Sequence, residues 1–152
     1  MLQDEIGSIM RFCYDMNPVK IYTDRIPQDM VIPCMYFPAP IVTSSSDTIT
    51  GYRNSYQLFV KVFDKKTQQA HLTAHGIAEM MRAGRGLLPV IKLSGEASEE
   101  YMQIGLDVQT KAVDEGVVQL ALKWDSQYPF IREEFPMMET LFIEALLKRE
   151  GD

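Results

Sequence analysis

The stretch Tyr52-Arg53-Asn54-Ser55-Tyr56-Gln57-Leu58-Phe59-Val60-Lys61-Val62-Phe63 decides the fold. Alternation with a period of two puts Tyr56, Leu58, Val60 and Val62 on one face of a strand, and Arg53, Ser55, Gln57 and Lys61 on the other. Phe59 and Phe63 interrupt the polar face, which predicts that something partly covers it. Directly afterwards the period changes. Asp64 is placed to cap a helix, and Ala70, Ala74, Ile77, Ala78 and Met81 recur at helical spacing over residues 66–82. Small side chains on that stripe let a helix lie close to a sheet. Gly84 and Gly86 end it.

Toward the N-terminus, Leu2, Ile6, Ile9, Met10 and Cys13 make the apolar stripe of a first helix over residues 2–14. Asn17-Pro18 stops it, because a residue before proline avoids the helical region. Val19–Tyr22 reads as a short strand and Met30–Phe37 as a second. Pro33 denies the second one a ladder donor, so that strand is expected at an edge or with a bulge. Residues 38–50, with Pro38, Pro40 and Thr43-Ser44-Ser45-Ser46-Asp47, read as a mobile loop or a long hairpin arm.

Toward the C-terminus, Leu87–Leu93 reads as a strand and Ser94–Glu100 as an acidic loop. Met102–Val113 and Val117–Asp125 read as a hairpin turned by Asp114-Glu115-Gly116. Residues 126–135 read as an irregular linker. A last helix starts at Pro136 and runs to Arg149, with Glu133 and Glu134 at its start and Lys148 and Arg149 at its end. The order α-β-β-β-α-β-β-β-α, with few helical crossovers, predicts an α+β fold. A mainly antiparallel sheet carries helices on one face, in a single domain over residues 1–152.

Composition narrows the function. The chain has 152 residues and is 46% hydrophobic, enough for one packed core. A net charge of −6 argues against broad binding to nucleic acid or anionic membranes. Cys13 and Cys34 fall in apolar surroundings and read as buried reduced thiols. The opening MLQDEIGSIM lacks a basic leader and no apolar run reaches bilayer length, which predicts a cytoplasmic protein without a membrane span.

Catalytic constellations are scarce. His71, His75 and Glu79 lie four apart on one helix face and are the one metal-like pattern, weighed against a solvated helix side. The serines cluster away from any nucleophile elbow. Arg82-Ala83-Gly84-Arg85-Gly86 follows a helix instead of preceding one, so the dipole is wrong for phosphate; Arg82 and Arg85 are instead candidates for contact with an acidic neighbouring subunit. Met137 and Met138, beside Phe135 and Phe142, form an adaptable apolar surface. No catalytic residue and no cofactor is expected.

The opening helix, Lys20-Ile21-Tyr22, Ile26-Pro27-Gln28 and Ile32-Pro33-Cys34-Met35-Tyr36-Phe37, followed by the long strand and the alanine-bearing helix, resembles the tail terminator (tail completion) proteins of tailed bacteriophages. The resemblance runs over residues 1–90 and loosens beyond. It implies a non-enzymatic ring, commonly a homo-hexamer, at the head-proximal end of a tail tube. Such a ring ends tube polymerisation and joins tail to head. The implied partners are further copies of the chain, the tail tube protein and the head–tail connector. DNA passes the lumen unbound, for which acid-lined walls are expected. The implied places are the host cytoplasm during assembly and then the virion tail.

A ring needs one patch of a subunit to meet a different patch of the next. Ser44, Ser45, Ser46, Asp47, Arg82, Arg85, Met137 and Met138 are the candidate interface residues. Competing readings are a connector or tube protein, a small metal- or ligand-binding domain, and an adaptor that binds peptides by strand addition.

Overall fold

The computed structural model describes residues 2–131. In chain order the elements are α1 (Leu2–Met16), β1 (Lys20–Tyr22), β2 (Cys34–Tyr36), β3 (Ile41–Thr48), β4 (Gly51–Phe63), α2 (Thr67–Ala83), β5 (Leu87–Ile91), β6 (Ala97–Gln103), β7 (Gln109–Asp114) and β8 (Val117–Pro129). The alternating stretch around Leu58 is β4, and Val118, Leu120, Leu122 and Trp124 alternate in the same way along β8. The two strands pair antiparallel throughout, from Gly51 opposite Pro129 to Phe63 opposite Val117. Around this ladder the main sheet runs β1-β2-β4-β8-β7, with β3 also on β4, while β5 and β6 form a separate two-stranded sheet. Among the described residues only the short β1–β2 pair is parallel. It puts β2 inside the sheet and not at an edge, because Pro33 lies just before the strand and removes no ladder donor from it.

Tyr56, Leu58, Val60 and Val62 stand opposite Trp124, Leu122, Leu120 and Val118, and all eight are buried. They share one apolar cluster with Ile9 and Cys13 of α1 and with Ala70, Ala74, Ile77, Ala78 and Met81 of α2. Both helices therefore cover the same face, and the fold is α+β with a mainly antiparallel sheet. Each fully buried leucine of that layer stabilises the fold by about 1.5–3 kcal/mol. On the opposite face Phe63 and its partner Cys34 are also buried, as the interrupted polar pattern implied.

Several boundaries differ from the sequence reading. Residues 38–50 contain β3, so four strands separate the helices. Residues 97–100, expected in an acidic loop, form β6 together with residues 101–103: Met102 is buried opposite Leu88, and Ser98 Oγ donates to the Val90 carbonyl at 2.6 Å. Its glutamates stay exposed, a charge pattern that an edge strand tolerates well. The expected strand 102–113 is broken. Ile104 makes an isolated bridge to Trp124, and the ladder resumes only at Gln109 opposite Ala121.

The expected linker begins as strand, because β8 continues through Ser126 and Tyr128 to Pro129. Asp64 does not cap α2. Its carboxylate accepts from the Lys65 N–H at 2.7 Å, and the helix starts later, with Lys66 at the cap position and no side-chain cap bond. Thr67 Oγ1 instead accepts from the Gly116 N–H at 2.8 Å, tying the helix start to the β7–β8 turn. At the other end Gly86 has φ +73°, and a Cβ there would sit 2.1 Å from the Ile104 carbonyl oxygen, so only glycine fits this turn. The last expected helix lies outside the described residues.

Candidate assembly surface

Tyr56 is the last β4 side chain buried on the helix-covered face; beyond it the ladder becomes an arm. Gly51–Gln57 is flanked by Ile41–Thr48 on one side and Lys123–Pro129 on the other. The result is a three-stranded arm whose turn exposes Ile49 at 90%. Ile41, Val42 and Thr43 are β-branched and suit a strand. All of β3 except Asp47 is exposed. The serines and the aspartate expected at an interface, Ser44, Ser45, Ser46 and Asp47, are thus brought together along β3.

The arm is held by its backbone ladder, by polar pairs and by aromatic rings. Ser44 Oγ donates to Asn54 Oδ1 at 2.6 Å. The Arg53 guanidinium lies 3.0 Å from Asp47 and 3.9 Å from Asp125, while its Nε is buried without a partner. Tyr56 and Trp124 pack at 5.2 Å between ring centroids, Tyr52 and Tyr128 at 5.7 Å, and Tyr52 and Phe130 at 5.7 Å. The Tyr56 and Tyr128 hydroxyls are 3.1 Å apart. This aromatic series runs from the core out along the arm. Burial, the hydrogen bond with Tyr56 and the nearby Glu5 carboxylate push the Tyr128 phenol well above its ordinary range.

Glu5 anchors the arm to α1. It is buried, and its carboxylate accepts from Trp124 Nε1 at 3.1 Å and from Ser126 Oγ. Two donors on β8, the buried Trp124 indole and the half-buried Ser126 hydroxyl, are satisfied by one acid on the first helix.

The two outer edges of the arm are bare among the described residues. β3 pairs only with β4. On β8, Val117–Ala121 carries β7, Trp124 meets Ile104, and the Lys123 carbonyl accepts from the Gly105 N–H at 2.7 Å. From Asp125 to Pro129 no strand follows on that side. There β6 and β8 diverge around a cleft of about 760 Å³, lined by Glu5, Val90, Glu100, Met102, Asp125 and Gln127 among others.

The remaining candidates lie elsewhere. Arg82 braces the end of α2: it lies 2.6 Å from Glu79 and donates to the Val108 carbonyl at 2.8 Å. Arg85, at φ +59°, is exposed in the turn before β5, and its carbonyl accepts from Gln103. The structure therefore does not join these arginines to β3. Met137 and Met138 lie outside the described residues.

His71 and His75 stack at 6.2 Å between ring centroids on an exposed helix side. Glu79 is 3.7 Å from His75 and is also engaged by Arg82. No group of three His, Cys, Asp or Glu among the described residues is placed to hold a metal. Cys13 and Cys34 are free and buried, and burial pushes the Cys13 thiol up to about 12. Among the described residues no helix is long and apolar enough to cross a membrane.

Sequence reasoning missed Tyr128, Phe130 and Glu5. The alternation Trp124, Ser126, Tyr128 carried a signal for the first, since it extends β8 with unbroken period; Glu5, one of two adjacent acids in the first turn of α1, carried none.

No family model matches the chain. It is 35% identical over 133 residues to the uncharacterized protein YqbJ of Bacillus subtilis strain 168, covering 88% of this chain and 90% of that one. It is 29% identical over 147 residues to the phage-like element PBSX protein XkdJ of the same organism, covering 97% and 100%. Among solved structures it is similar to a chain of the virion of a native gene transfer agent particle, with a TM-score of 0.47 and 10% identity over 82% of this chain and 93% of that one.

Proposed function

The chain belongs to the family of Bacillus subtilis YqbJ, and we propose that it is a non-enzymatic structural protein of a phage-type particle. Its role in this reading is that of a tail terminator: a ring, with six copies as the expected number, at the head-proximal end of a tail tube. The ring ends tube growth and joins the tail to the head. Its partners are further copies of itself, the tail tube protein and the head–tail connector, with DNA passing unbound through a lumen presenting acids. It is made in the host cytoplasm and ends in the virion tail.

Two things support the reading. One is similarity, over 97% of the chain, to a protein named for a phage-like element. The other, which carries it, is the arm: a three-stranded projection with an exposed turn and two bare edges has little to stabilise in a monomer, but it is a ready surface for a neighbour. A closed ring uses such unlike patches in head-to-tail contacts.

The test is molar mass by light scattering across a concentration series, alone and with tail tubes added. A discrete species of one ring supports the terminator. An open-ended polymer makes it a tube protein. A monomer that forms no ring even on tubes overturns the reading. Deleting Ser44–Asp47 is expected to leave the fold intact by circular dichroism and to abolish most ring or tail-capping activity; normal assembly by the deletion variant removes the arm from the mechanism.

A further inference from the structure

The arm offers more than an exposed projection: its two bare edges stand at the same level. Thr43, Ser55 and Asp125 form one cross-strand row, and Ser45, Arg53 and Gln127 form the next but one. Among the described residues the unit β3-β4-β8 is therefore a short sheet with one free edge on each side, and both free edges flank the same residues of β4. β3 and β8 each run antiparallel to β4, so they point the same way. Turning one copy about an axis alongside the arm brings its β3 beside the next copy's β8 as a parallel neighbour, and the operation repeats until it closes.

Resting on the ring reading above, we propose that the ring closes by strand addition: the free edge of β3 in one subunit lies along the bare Asp125–Pro129 edge of β8 in the next, in the cleft between β8 and β6. The occupant is a second copy of this chain for three reasons. First, β3 spans 8 residues, is exposed throughout except at Asp47, and lacks the lysine or internal proline with which solvent-facing edges are usually blunted; its irregularity lies at the far end, between Ser46 and Thr48. Second, the side chains that meet do not repel: Thr43, Ser44, Ser45 and Ser46 face Asp125, Ser126, Gln127 and Tyr128, so a single charge lies among hydroxyl and amide groups. Third, the other long free edge of the main sheet fits worse. β7 carries Lys111 and a register shift between Ala112 and Asp114, and it flanks the Val117–Ala121 half of β8, off the level of β3.

The arrangement uses unpaired backbone groups as its main attraction, so it tolerates many side-chain changes but no obstruction of the edge. A lysine at the centre of β3 is such an obstruction.

The experiment pairs cysteines across the contact. Ser45→Cys with Gln127→Cys tests level pairing, and Thr43→Cys with Gln127→Cys tests a two-residue shift that keeps the same face. Cys13 and Cys34 are buried and stay silent in the folded protein. Under mild oxidation of assembled rings, either double variant is expected to give a disulfide ladder from dimer to the full ring. Mixing the two single variants should stop at dimers, and neither single variant should cross-link alone. Cross-linking of Ser45→Cys alone overturns the proposal, because it indicates a two-fold contact between β3 strands. Rings of normal mass with no cross-link from either pair also overturn it while leaving the ring reading in place. No ring under any condition, with or without tubes, overturns both. As a second line, Ser45→Lys should keep the monomer's circular dichroism and urea midpoint yet reduce the ring fraction at least tenfold; rings at wild-type yield overturn strand addition.

Discussion

The β4–β8 ladder is one continuous pairing with two unlike halves. In the half around Val60 and Leu120 the ladder is covered by α2 and flanked by β2 and β7. In the half around Arg53 and Gln127 it is flanked by exposed β3 and, on the other edge, by a cleft. The same backbone geometry serves two purposes. The covered half buries apolar side chains and stabilises the monomer; the arm half presents backbone edges and polar side chains and contributes mainly contact surface. Stability and assembly are therefore expected to respond to different substitutions along the same pair of strands.

The sharpest contrast comes from matched truncations. Leu120 is 0% exposed opposite Val60. Leu120→Ala should cost about 2–5 kcal/mol, from lost transfer energy and an incompletely filled cavity. Val42, on the arm and 46% exposed, should cost less than about 0.5 kcal/mol on truncation to alanine. Urea denaturation of both variants checks the contrast. Equal losses would merge the two halves into one core.

The joint between the halves comes next. Glu5→Gln keeps the shape of the side chain but replaces one carboxylate oxygen with a donor. The amide oxygen can serve Trp124 Nε1 while the half-buried Ser126 hydroxyl turns to accept from the amide N–H. Two charge-assisted bonds thus become neutral ones, at a cost of about 1–2 kcal/mol. The same variant should loosen the arm base, seen as faster amide exchange at Trp124 and Ser126. A neutral result by both measures would mean that α1 does not hold the arm.

Alkaline titration separates the halves again, through one group in each. The Cys13 thiol sits in the covered core with its pKa raised from 9.0 to about 12. The Tyr128 phenol sits on the arm and is raised from 10.0. In both cases the folded state holds its proton where the unfolded chain has released it. The associated stability is complete below the unfolded value and is lost as pH rises through the folded one. Stability should thus begin to fall near pH 9, with a second loss above pH 10. Cys13→Ala should shrink the earlier loss, leaving the part that belongs to the buried Cys34 thiol, which burial also raises from 9.0, and should leave the later loss. Tyr128→Phe should remove the later loss and leave the earlier. Urea midpoints between pH 8 and 11 give the measurement.

Legibility followed the same division. The covered half could be read directly, because period-two alternation in β4 and β8 and the alanine stripe of α2 report burial on one face. The arm was read only in part. In β3 both faces are exposed, so no apolar period marks it, and the prolines and serines around Thr43–Asp47 favour a loop, with a hairpin arm as the alternative. Tyr128 reads as linker because Pro129, a residue that ends strand ladders, directly follows the alternation. β6 was hidden by its glutamates, which read as a loop yet sit on an exposed edge. The interface candidates divide likewise: the serines share one strand, while Arg82 is spent on Glu79 and the Val108 carbonyl, an engagement that spacing alone does not reveal.

The smallest expected effect concerns Arg53, the cation that lies between Asp47 and Asp125 on the arm. Its guanidinium is 3.0 Å from Asp47 and 3.9 Å from Asp125, and its side chain is 40% exposed, so water and salt weaken both attractions. Its Nε is buried and unpartnered, a cost that Arg53→Gln removes. Loss and relief oppose one another, and the net change should be less than about 1 kcal/mol, shrinking further at 1 M salt. The two aspartates, freed of their shared cation, would then meet an incoming strand with unscreened negative charge. Ring yield at low salt should fall more than stability does, and added salt should restore it. A stability loss above about 2 kcal/mol, beyond the range of an exposed pair, would instead show that this cation, and not the backbone ladder, holds the arm together.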